Sequence, residues 1–179
     1  PSGIYFSNLV LYLIYTNRLD EAQQTVQNAF ARKIESARLH RRLYVIAYLR
    51  GDRSAMDREV EWFRGKPAEP QEALGDQAAA AACGGRMREA DELVQRANAI
   101  DERNRATEAV ATSRAEHSFG KAMLGDAKGA LALADAVTSV PGTWYLCLMT
   151  YAVVGDQSRV QMLLPRFTSG PPADIYSFD

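Results

Sequence analysis

The chain has 179 residues, 47% of them apolar, with 21 Lys+Arg against 22 Asp+Glu and a net charge of −1. This is the composition of a folded chain rather than a disordered one, and the charge balance argues against nucleic-acid binding, which draws on a marked basic excess. Cys83 and Cys147 suggest neither a disulfide framework nor a metal site, and the longest apolar run, Leu9 to Tyr15, falls short of the ~18 residues of a membrane span.

In chain order, Pro1-Ser2-Gly3 opens almost inside the first repeat, as expected of a piece of a longer protein. Phe6, Leu9, Val10 and Leu13 then form an apolar stripe at helical spacing. It ends at the turn Asn17-Arg18-Leu19-Asp20-Glu21-Ala22, and a second stripe follows at Ala22, Val26 and Ala29. The second unit repeats this: His40, Leu43, Tyr44 and Ala47, the turn Gly51-Asp52-Arg53, then Met56, Val60 and Phe63. Small residues dominate the third: Leu74, Gln77, Ala78 and Ala81, the turn Gly85-Arg86-Met87-Arg88-Glu89-Ala90, then Ala90, Val94 and Ala97.

The fourth unit departs from this register. The expected positions hold Arg114, His117, Ser118 and Lys121, and the apolar line moves to Ala111, Ala115, Phe119 and Ala122. A loop around Ala99–Glu102 and a long, rotated helix from near Arg103 are predicted there. Gly125-Asp126-Ala127 leads to Ala130, Ala134 and Val137, and Val140-Pro141-Gly142 makes a short connection. The fifth unit has Trp144, Cys147, Leu148 and Tyr151, the turn Gly155-Asp156-Gln157, then Val160, Leu164 and Phe167.

Counted from Asn17, Gly51, Gly85, Gly125 and Gly155, the turns recur at 34, 34, 40 and 30 residues. Such a period predicts an all-α stack of helical hairpins, each burying its apolar face against its neighbours. The units fall at about 3–35, 36–68, 69–101, 102–139 and 140–170, a single repeat domain followed by a Pro-rich tail at 171–179. Gly or Asn at each anchor suits the left-handed residue closing a helix, and Asp52, Asp126 and Asp156 are placed to cap the next one.

The pattern resembles the tetratricopeptide repeat, whose signature the last unit carries in Trp144, Leu148, Tyr151, Gly155, Val160, Phe167 and Pro172. The resemblance implies an α-solenoid, a right-handed superhelix of about five hairpins, that binds a protein or peptide on its concave face. A narrower resemblance, Tyr48-Leu49-Arg50-Gly51-Asp52-Arg53-Ser54-Ala55-Met56-Asp57-Arg58-Glu59 with Gly65-Lys66-Pro67, is to repeat regions of bacterial membrane-bound serine/threonine kinases. It implies a sensing or docking segment of a larger signalling protein, whose compartment follows from that parent.

The resemblance places the concave face on the first helices, and the residues expected there include Ser7, Leu11, Ile14, Tyr15, Arg38, Arg41, Val45, Tyr48, Phe119, Tyr145 and Met149. An apolar segment laid in a groove with aromatic anchors suits that composition. The Lys and Asn clamp of chaperone-tail binders is absent. Arg38, Arg41 and Arg42, with Arg32 and Lys33, form the sharpest basic spot, read as a solvated face ahead of an anion site.

His40 and His117 lie 77 residues apart, both cysteines read as small core residues, and Glu59, Glu61, Glu89, Asp91 and Glu92 read as solvent-facing charges. No kinase motif is present. The expectation is a non-catalytic binding scaffold with no cofactor and no metal. The alternative is a structural module that self-associates through an exposed last face at Leu163, Leu164 and Phe167, or whose groove stays empty or takes its own tail.

Overall fold

A computed structural model describes residues 3–64 and 70–168, and all regular structure among them is helical. The helices are α1 (Gly3–Tyr15), α2 (Leu19–Ala31), α3 (Ala37–Arg50), α4 (Arg53–Phe63), α5 (Pro70–Cys83), α6 (Met87–Arg103), α7 (Thr107–Met123), α8 (Ala127–Val137), α9 (Trp144–Val154), α10 (Gln157–Leu163) and α11 (Pro165–Thr168). A 3-10 turn, Pro141–Thr143, joins α8 to α9. The Gly65-Lys66-Pro67 turn and the 171–179 tail lie outside the described residues.

One backbone motif ends most of these helices. At Asn17, Lys33, Gly51, Gly85, Arg105, Gly125 and Gly155 the chain turns left-handed, with φ between 57° and 87°. Each of these residues donates its N–H three residues back, and the next residue donates five back. Gly51 to Tyr48 and Asp52 to Ala47 are one such pair, Arg105 to Glu102 and Ala106 to Asp101 another. This double closure satisfies carbonyls that a helix end would otherwise orphan. Asp52, Asp126 and Asp156 then accept from the backbone N–H groups of Ala55, Gly129 and Arg159, at 2.9, 2.9 and 3.1 Å, and start α4, α8 and α10.

The chain divides into two compact units, Pro1–Ala97 and Asn98–Asp179. In the first, Val10, Leu13, Ile14, Val26, Leu39 and Ile46 build a core shared by α1, α2 and α3. α3 packs on α1 and α2 behind it and on α4 and α5 ahead. In the second, Ala111, Ala115, Ala134, Val137, Cys147, Tyr151 and Leu163 form the core where α7, α8, α9 and α10 meet.

Several expectations need correction. No loop interrupts Ala99–Glu102: α6 runs through it, the turn lies at Asn104–Ala106, and α7 starts at Thr107 rather than near Arg103. The extra residues of the 40-residue interval therefore lengthen two helices, both 17 residues. Ser118 is buried beside the shifted apolar line, its hydroxyl donating to the Ala130 carbonyl at 2.8 Å and meeting Thr150 at 3.2 Å. Pro165 ends α10 early, so Leu163 is fully buried while Leu164 and Phe167 stay exposed. Cys147 is a core residue, but Cys83 is exposed.

Candidate functional site

Within the first unit, α3, α4, α5 and the start of α6 bound a cleft of about 570 Å³. That volume falls within the roughly 300–1,000 Å³ of small-ligand and side-chain pockets. Tyr44, Tyr48, Met56, Val60 and Gln77 supply its buried and half-buried lining; Gly51, Arg53, Asp57, Arg86 and Glu89 supply the exposed part. The helix spacing explains the pairings, since Tyr44 and Tyr48, and Met56 and Val60, are each one turn apart.

Burial, with Asp76 adding negative field, pushes the Tyr44 phenol up to about 12. Burial also raises Tyr48, with the Cys83 thiol beside it adding to the effect. Both hydroxyls thus keep their protons at neutral pH and can donate as well as accept. Arg86 donates to Glu89 at 2.7 Å, so the exposed lining carries one internal pair. The cleft can hold an apolar side chain whose polar end meets two phenols and a ring of balanced charge.

The basic spot is organised inward. Arg41 forks onto Asp76, at 2.6 and 3.1 Å, and pairs with Glu72, tying α3 to α5. Arg42 is half-buried, its Nε without a partner, and burial with Arg41 nearby holds its guanidinium below the usual arginine range. Of the three, Arg38 is exposed.

His40 is buried between aromatic rings: Trp62 stacks on it at 3.7 Å, and Phe30 lies at 5.2 Å. Its Nδ1 faces Glu59 at 2.7 Å and its Nε2 faces Glu35 at 3.0 Å, while Trp62 Nε1 donates to Glu35 at 3.0 Å. Carboxylates only accept, so both contacts are satisfied together when both ring nitrogens carry protons. Glu59 is therefore an inward partner of α3 and not a solvent-facing charge. No group of three or more His, Cys, Asp or Glu among the described residues is placed to hold a metal.

The residues expected on the concave face occupy three kinds of place. Ser7 and Ile14 are buried in the first unit, the Ser7 hydroxyl without a partner, and half-buried Val45 packs against the same core. Leu11 is half-buried and Tyr15 exposed on α1; Arg38 and Arg41 stand as described. Tyr48 alone of the set enters the cleft, beside Tyr44, Gln77 and Arg86, which sequence reasoning placed in packing stripes and a turn rather than in a binding site. The Tyr44–Tyr48 spacing was the available signal.

In the second unit, half-buried Phe119 and Met149 and exposed Tyr145 lie on the packed pair α7 and α9. The rotated register puts Ala115 and Ala122 in the core and leaves Thr112, Glu116, Phe119 and Met123 as the outer line of α7. Glu116 and Met123 were not among the residues expected to bind.

No helix among the described residues is long and apolar enough to cross a membrane. Comparison with family models, curated proteins and solved structures finds no match to the chain.

Proposed function

We propose that this chain is a non-catalytic, tetratricopeptide-like α-solenoid that binds a protein or peptide segment along its first helices. One observation carries the reading. Three of the first helices touch both their own second helix and the next first helix: α1 with α2 and α3, α3 with α4 and α5, α7 with α8 and α9. Such contacts support the nearest-neighbour packing of a helical-hairpin array, and arrays of this kind leave first-helix side chains open to a ligand. The Tyr44–Tyr48 cleft in the first unit, and the outer line of α7 and α9 in the second, are the first-helix surfaces with depth or apolar character. A place in a larger signalling protein, such as a bacterial serine/threonine kinase, is supported by the Tyr48–Glu59 resemblance alone.

Panning a peptide-display library against the full chain tests the binding reading. Peptides enriched on the wild type are expected to be lost on Tyr48→Ala combined with Phe119→Ala. Equal recovery on both proteins, or no enrichment at all, overturns it.

A second reading, self-association through the last helices, is favoured by the exposure of Met162, Leu164 and Phe167. Sedimentation over a range of concentrations decides it. A strict monomer eliminates it, and a dimer dissociated by Met162→Ser with Leu164→Ser supports it.

A further inference from the structure

α7 and α9 pack side by side through Ala115, Cys147 and Tyr151, with Ser118 bonded to Thr150. What they leave outside is regular. Thr112, Glu116, Phe119 and Met123 succeed one another at helical spacing along α7, and Tyr145, Met149 and Val153 do so along α9. Met123, Tyr145 and Val153 are exposed at 62, 63 and 43%, too apolar a set for an idle solvent face.

Glu116 is the charged member of this strip, and no hydrogen bond or ion pair engages it among the described residues. Its side chain reaches solvent, yet enough protein surrounds it that burial holds its carboxyl above the ordinary glutamate value, with no cation opposing the effect. The other acidic groups of the second unit that sit near cations are matched: Asp126 by Lys121, Asp135 by Arg159 and Glu102 by Arg114. An unmatched carboxylate within an apolar strip lacks a positive charge that a partner can bring.

We infer that the α7–α9 strip is a docking surface for an amphipathic helical segment that lays apolar side chains along Phe119, Met123, Tyr145 and Met149 and sets a lysine or arginine against Glu116. A helix fits better than an extended strand, because the strip runs along two packed helices and offers anchors at turn spacing instead of unpaired backbone groups. The cation gives register and orientation, and the apolar anchors give most of the affinity. This rests on the binding reading above and adds the chemistry of the partner.

The test is a charge swap. Helix-forming peptide libraries are panned in parallel on the full chain and on its Glu116→Lys variant. Wild type is expected to enrich peptides with a basic residue at fixed spacing from two apolar ones, and Glu116→Lys to enrich acidic residues at that same place. Peptides from the wild-type pool should bind Glu116→Gln about tenfold more weakly. The proposal is overturned if the charge preference is the same on both proteins, or if enriched peptides respond to Tyr48→Ala and not to Glu116→Lys. In that last case the general binding reading survives; if nothing enriches on either protein, both fail. A dimer that buries Tyr145 and Met149 in the unliganded chain would also overturn it, a second copy being then the occupant.

Discussion

Lys33 and Arg105 sit in the left-handed region, at φ 60° and 59°, where a β-carbon crowds the following carbonyl. Each closes a helix by the same pair of backbone bonds that Gly51, Gly85, Gly125 and Gly155 make without a β-carbon. The fold therefore tolerates a local cost at these two positions, because the closing bonds are worth more than the strain. Lys33→Gly and Arg105→Gly should each raise stability by about 1 kcal/mol, the left-handed penalty less part of glycine's extra unfolded-state entropy. Urea unfolding reads this directly. A loss of stability in either variant would mean that the lysine or arginine side chain makes a contact that outweighs its backbone strain.

At the scale of elements, short helices depend on how their ends are satisfied, and α10, with seven residues, is one of them. Asp156 caps it, accepting from Ser158 Oγ at 2.7 Å and the Arg159 N–H at 3.1 Å, and the Arg159 guanidinium adds a charge. These bonds hold its carboxyl at about 2, below the ordinary 3.8. The folded form thus binds this proton more weakly than the unfolded chain does. The stabilisation is complete above the ordinary value and disappears as pH falls toward about 2. Asp126 and Asp135 are lowered in the same sense, Asp126 by the Gly129 N–H and Lys121, Asp135 by Arg159 and Tyr151. Asp156→Asn should therefore unfold at lower urea than wild type at neutral pH, and the gap should narrow as pH drops from about 5 to about 2. A gap that stays constant would mean that ionisation of Asp156 contributes nothing. These caps were legible in the sequence, as were five of the helix-closing turns, because Asp, Asn and Gly announce the conformations they serve. The turn at Arg105 was not, because arginine carries no such signal, and the expected loop was drawn several residues too early. Rotation of α7 was readable from its apolar line. Its consequence for Glu116 was not, since periodicity shows which face is buried but not how much protein surrounds a neighbouring carboxylate.

For the molecule as a whole, each compact unit carries its own core and its own tryptophan, Trp62 in the first and Trp144 in the second. Both rings are tied in. Trp62 stacks on His40 and donates to Glu35, while Trp144 donates to the Thr138 carbonyl at 3.1 Å with Arg166 over its face. On the repeat-array reading proposed above, a local lesion should weaken its own surroundings first. His40→Ala removes the ring between Phe30 and Trp62 and strands Glu59, which is largely buried. The expected cost is about 2–4 kcal/mol, combining a lost packing volume with an unsatisfied carboxylate. Measured on single-tryptophan variants, Trp144→Phe to watch the first unit and Trp62→Phe to watch the second, the lesion should lower the urea midpoint at Trp62 more than at Trp144. Equal shifts at both probes would show that the 179 residues unfold as one cooperative body.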